Sequence, residues 1–153
     1  VYIVKYSILL YLILIITTFY YIIVYITLNF YYNSIIMIKV FFDGNCPICN
    51  REIMFYKRLA KEGSEITWYD ISQDHKPLKI INKTKQDCLK RLHVLDQDQS
   101  IKVGVDAFIT IWKKIKYFSI IALLINNKPT KKLLNTIYNF YADYRYKKLK
   151  YKE

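Results

Sequence analysis

From Tyr6 to Ile38 the chain carries no charged residue, so Lys5 and Lys39 bracket 33 consecutive neutral positions. A helix of about 20 apolar residues crosses the roughly 30 Å hydrocarbon layer of a bilayer, so the stretch is long enough to do so. Two readings follow. As a membrane anchor through residues 6–32 it is unusual, because Tyr11, Tyr20, Tyr21 and Tyr25 lie well inside it, whereas aromatic belts sit at the interfaces. Lys5 and Lys39 lie at opposite ends and give no orientation. A cleaved signal peptide is a poor match, since the apolar region is too long and no small-residue cleavage pattern follows. The second reading is a mis-assigned start. The chain begins with Val1, the segment is almost entirely Ile, Tyr, Leu, Phe, Thr and Asn, and Met37 stands just before a patterned strand. Those residues are readily encoded by A/T-rich codons, as a non-coding stretch read through would be. Met37 is therefore the expected start, with an anchor over residues 1–36 as the alternative.

Residues 37–153 are different material and form the expected domain. Of the 24 Lys+Arg residues 23 lie here, together with all 12 Asp+Glu, and apolar positions are spaced rather than continuous. Only three glycines and three prolines occur in the whole chain, which excludes linker-like or collagen-like composition. Three cysteines are too few for a disulfide-stapled secreted scaffold.

Ile38 to Phe42 is a short apolar run of strand length, and Asp43-Gly44-Asn45 is turn chemistry. Cys46-Pro47-Ile48-Cys49 then opens a helical pattern with proline at the first helical position. Cys49, Ile53, Tyr56 and Ala60 make its apolar stripe, and Gly63 is the expected stop. Ile66 to Tyr69 reads as a second strand, Asp70 to Thr84 as a polar connection and Lys85 to Lys90 as a short helix. Leu92 to Leu95 and Ile101 to Val103 read as a hairpin. Phe108, Ile111, Trp112 and Ile115 mark a further helix, and Tyr117 to Ile125 a buried one. Thr130 is the expected N-cap of a last helix with the stripe Leu134, Ile137, Tyr138 and Tyr141. The expected class is α/β, a mixed sheet flanked by helices with extra helices at the C-terminus.

Disulfide exchange needs one accessible thiolate and a second thiol within bonding reach. Cys46 falls where free helical N–H groups and the helix dipole favour an anion, which lowers a thiol's pKa. Cys49, one turn on and in the apolar stripe, is expected to be less exposed. Cys46 is thus the expected nucleophile and Cys49 the resolving thiol. Asp43, three residues before Cys46, either exchanges a proton with Cys49 or simply holds the turn.

Val40-Phe41-Phe42-Asp43-Gly44-Asn45-Cys46-Pro47-Ile48-Cys49-Asn50 resembles the signature of the DCC family of thiol-disulfide oxidoreductases, named for Asp-x-x-Cys-x-x-Cys. The likeness continues through Leu92-His93-Val94-Leu95-Asp96, Gly104-Val105-Asp106-Ala107-Phe108 and Trp112, and on to Tyr138 and Arg145. It runs from about Ile38 to about Lys147 and leaves the first 36 residues uncovered. The resemblance implies a thioredoxin-like fold and disulfide exchange; the expected partners are protein or small-molecule thiols and disulfides, and no organic cofactor is expected. One departure matters: thioredoxins place a cis-proline before the strand facing their cysteines, and Arg91-Leu92 occupies that approach here.

Two rival readings come from other classes. Cys46, Cys49, Cys88 and His93 would make a Cys₃His zinc set, but Cys88 and His93 lack a second knuckle, and His75 has no evident partner. No metal is therefore expected. Lys128 to Glu153 holds eight bases against two acids, a patch that attracts polyanions; a solvated helix face and basic tail account for it, so nucleic acid is not the expected partner. A chain with an unpaired Cys88 suits the cytoplasm, or a membrane surface if residues 1–36 anchor it.

Overall fold

A computed structural model describes residues 13–28, 37–60, 65–149 and 151. The chain divides into two units, residues 1–36 and Met37–Glu153. In the first, residues 13–28 form helix α1, whose large apolar side chains, such as Ile16, Phe19 and Leu28, are exposed. Among the described residues no helix is both long and apolar enough to cross a membrane. The ends of the expected anchor, 6–12 and 29–32, lie outside the described residues.

The second unit runs β1 (Ile38–Phe42), α2 (Pro47–Leu59), β2 (Ile66–Asp70), a 3₁₀ turn (Lys76–Ile80), α3 (Lys85–Lys90), β3 (His93–Leu95), β4 (Ile101–Val103), α4 (Val105–Lys114), α5 (Ser119–Ile125) and α6 (Lys128–Lys148). The sheet order is β2-β1-β3-β4. β1 pairs parallel with β2, from Ile38 opposite Ile66 to Phe42 opposite Asp70. It pairs antiparallel with β3, which in turn pairs antiparallel with β4. This is the thioredoxin-like α/β arrangement, with α5 and α6 added after it.

β1 lies at the centre and is covered on both faces, which is why it reads as a near-continuous apolar run. Ile38, Val40 and Phe42 pack with Ile53 and Tyr56 of α2 and Ala107 and Ile111 of α4. Phe41 points the other way, into Ile71, Leu78, Ile81, Cys88 and Leu89. Period-2 alternation of side chains along the strand thus builds two cores. The connection after β2 is less polar than its composition suggests, since Ile71, Leu78 and Ile81 are its buried anchors.

Three expectations are corrected. α2 ends at Leu59 with Ala60 as C-cap; Gly63, the expected stop, lies outside the described residues. α5 is helical but not buried: only Ala122 is fully covered and Ile125 half-buried, while Ile120, Leu123 and Leu124 are exposed. A seven-residue helix offers one narrow side, and Ala122 fills it against Val105 and Ile109 of α4. α6 begins earlier than expected. Its N-cap is Asn127, whose Oδ1 accepts the Thr130 N–H at 3.0 Å, and Pro129 occupies the first turn, where no N–H donor is required. Its inward side is Leu134, Tyr138, Ala142 and Arg145, while Ile137 and Tyr141 are exposed.

Candidate active site

The site is built at the turn that carries the chain from β1 into α2. Asp43 Oδ1 accepts the Asn45 N–H at 3.1 Å, and the Gly44 N–H donates to Asp70 Oδ1 at 3.0 Å. Asp70, at the end of β2, also accepts from Ser72 N and Ser72 Oγ. A Cβ on residue 44 would fall inside the Asp70 carboxyl group, so close approach of backbone to that carboxylate requires glycine here.

Cys46 is the N-cap of α2, with Pro47 in the first turn. Its Sγ accepts the Cys49 N–H at 3.2 Å, and its C=O accepts from Asn50 N at 2.8 Å. Sulfur therefore takes the place of the usual capping oxygen and meets a helical N–H that would otherwise lack a partner. Cys46 and Cys49 are disulfide-bonded, with Cα atoms 5.2 Å apart. Their exposures are the reverse of the expectation. Cys46 is 1% exposed, whereas Cys49 is half-buried and lines a cavity. The N-cap position folds the Cys46 sulfur back over the first turn, and Cys49 turns outward on the helix.

Asp43 is 3% exposed and faces Arg145. Arg145 Nη1 lies 3.4 Å from Asp43 Oδ2, while its Nη2 donates to the Leu89 and Lys90 carbonyls at 2.8 Å each. The Tyr151 hydroxyl also donates to Asp43 Oδ2, and burial with the neighbouring carboxylate pushes that phenol well above the usual tyrosine range. A buried charge needs such compensation. Arg145 comes from α6, 102 residues away in sequence. The sequence held only the family resemblance at Arg145 and nothing at Tyr151.

A cavity of about 60 Å³ opens beside Cys49, lined by Asp43, Glu52, Cys88, Leu92, Tyr138 and Arg145 among others. Glu52, missed from the sequence although it follows Cys49 by three residues, is held above the usual carboxylate range by desolvation. The Cys88 thiol, buried among apolar side chains and beside Asp87, is pushed up to about 12.

At the approach to β3, the Leu92 N–H donates to Tyr138 Oη at 3.0 Å and the Leu92 C=O accepts from Gly104 N at 3.1 Å. No cis peptide occurs among the described residues. Both backbone groups of Leu92 are thus occupied within the chain, unlike an open substrate-docking strand edge.

Among the described residues no three His, Cys, Asp or Glu side chains converge as a metal site. His93 Nδ1 instead lies 2.8 Å from the Arg91 carbonyl, and burial holds the imidazole below its usual range. The unfolded chain takes up this proton near pH 6.5 and the folded one only at lower pH, so the stability held above about 6.5 is lost as pH falls. His93→Gln is therefore expected to flatten the decline in the urea midpoint between about pH 7 and 5. An unaltered slope would rule out His93 as its source.

A family model of DCC1-like thiol-disulfide oxidoreductases matches residues 40–150. The chain belongs to the DCC1-like thiol-disulfide oxidoreductase family. The matched range spans both cysteines, the turn before them and Arg145. The chain is also similar to an uncharacterized chloroplastic protein of Arabidopsis thaliana, 29% identical over 110 residues, covering 71% of this chain and 50% of that protein. The chain thus spans about half the length of the curated relative it matches. No solved structure matches.

Proposed function

We propose that this DCC1-like chain exchanges disulfides with thiol and disulfide partners, protein or small molecule, through Cys46 and Cys49. The observation that carries the reading is the pair bonded across the first turn of α2, with Cys46 Sγ as the helix N-cap accepting the Cys49 N–H. When reduced, Cys46 has a helical N–H aimed at its sulfur and the positive end of the helix dipole beside it, and both favour the thiolate.

The Cys46 thiolate attacks a substrate disulfide, forming a mixed disulfide and releasing one thiol. Cys49 then attacks the Cys46 sulfur and releases the second thiol. The dithiol loses two electrons and the substrate disulfide gains them; the reverse sequence oxidises a substrate dithiol. Relative potentials set the direction. Asp43 shares the cavity with Cys49, but its oxygens are committed to Asn45, Arg145 and Tyr151. Its part in this reading is to hold the turn that presents the cysteines. A reducing compartment such as the cytoplasm is the setting favoured, since Cys88 stays a free thiol lining the same cavity.

The test is a redox titration of the full chain in glutathione or dithiothreitol buffers, read by thiol alkylation and mass. A reversible two-electron transition confined to Cys46 and Cys49 is expected. No disulfide between them at any poise, with stoichiometric zinc in the purified protein, would replace the reading with a metal-stabilised binding module.

A further inference from the structure

Glu52 lies one helical turn after Cys49 on α2, at the spacing that brings two side chains onto one face, and both line the same cavity. At about 60 Å³ the cavity that both residues line has room for a water. The Tyr56 hydroxyl donates to Glu52 Oε1 at 2.8 Å, which holds one carboxyl oxygen in place. Glu52 has no ion pair among the described residues, in contrast to Asp43. The two cations facing the cavity are engaged elsewhere: Arg91 by Asn139 and Asp143, Arg145 by Asp43 and two carbonyls. The other titratable groups lining the cavity are Cys88 of α3 and Tyr138 and Tyr141 of α6.

We infer that Glu52 takes the Cys49 proton in the resolving step and returns it to the departing thiol, an inference that rests on the exchange reading above. The balance is complete. Cys49–SH gives its proton to the Glu52 carboxylate through the cavity, and its sulfur attacks Cys46 of the mixed disulfide. The Cys46–Cys49 bond forms as the bond to the substrate sulfur breaks, and that sulfur leaves as a thiolate which recovers the proton. Desolvation, which holds Glu52 above the usual carboxylate range, brings carboxyl and thiol closer in proton affinity, the condition under which such transfer is efficient. Asp43 has no free oxygen for this task.

The experiment mixes the reduced full chain with one equivalent of an aromatic disulfide that liberates a coloured thiolate. The first release reports attack by Cys46, and the second reports resolution by Cys49. Glu52→Gln is expected to leave the first release unchanged and slow the second about 10²-fold near neutral pH. The defect should shrink as pH approaches about 8.5, where a thiol ionises unaided, and Glu52→Asp should recover part of the rate. A second release of wild-type rate in Glu52→Gln, or equal slowing of both releases, would overturn the inference and leave the exchange reading standing. Absence of any second release from the wild type, with no Cys46–Cys49 disulfide by mass, would sink both. Should Glu52→Gln fail to fold, the wild-type profile decides: the second release must show an inflection below the thiol's own range, and a profile with the thiol inflection alone overturns the inference.

Discussion

Replacing Cys46 by serine is expected to abolish disulfide exchange, with a rate loss of at least about 10³-fold, as when an enzyme loses its nucleophile. A serine hydroxyl at the N-cap can still accept the Cys49 N–H, so the helix start should survive. What disappears is an ionisable sulfur at the dipole's positive end. Cys49→Ser should behave differently: the first thiol is released at near wild-type rate, and the mixed disulfide on Cys46 then persists. Thiol release, combined with mass to locate the adduct, separates the two variants. Cys88 should not confuse the count, because a buried thiol pushed up to about 12 has almost no thiolate near neutral pH. A first release at wild-type rate by Cys46→Ser, with the adduct on Cys49, would reverse the roles and make the half-buried Cys49 the attacking thiol, the assignment that exposure alone would favour.

Arg145→Leu is expected to lower folding stability by about 3–5 kcal/mol, the range for removing one partner of a buried ion pair. The loss has two sources. Asp43, 3% exposed, is left with Tyr151 and Asn45 but without its cation, and the Leu89 and Lys90 carbonyls lose their shared donor. Arg145→Lys keeps the charge but cannot present the planar fork to a carboxylate and two carbonyls together, so it should fall between wild type and Leu. Urea unfolding measures both. Combining Arg145→Leu with Asp43→Asn should cost less than the sum of the single changes, because the second removes the charge the first strands. A change in Arg145→Leu within about 0.5 kcal/mol, the scale of ordinary surface substitutions, would mean that the pair does not hold the turn.

Local chemistry alone determined much of this protein. The apolar run Ile38 to Phe42, the Asp43-Gly44-Asn45 turn and Pro47 after Cys46 place a strand, a turn and a helix start at the observed positions, because each depends on neighbouring backbone and side-chain preferences. Lys85 to Lys90 and Ile101 to Val103 were legible for the same reason. Period-3.6 spacing also gave the α4 stripe, where Ile111 and the C-capping Ile115 are buried. Tertiary structure decided what lies across the fold. An apolar run states that a helix has apolar sides but not whether anything covers them, and α5 buries only Ala122 fully, leaving Ile120, Leu123 and Leu124 exposed. The inward side of α6 shifts away from Ile137 toward Ala142 and Arg145 because a buried Asp43 requires a cation, a demand arising far away in sequence. Exposure at the cysteines likewise depends on how the first turn of α2 seats against its surroundings: capping draws the Cys46 sulfur inward, while the cavity formed by α3, α6 and the approach to β3 lies beside Cys49. Spacing along a chain fixes which side chains share a helix face, but only packing between elements fixes which of them meets water, a charge or a cavity.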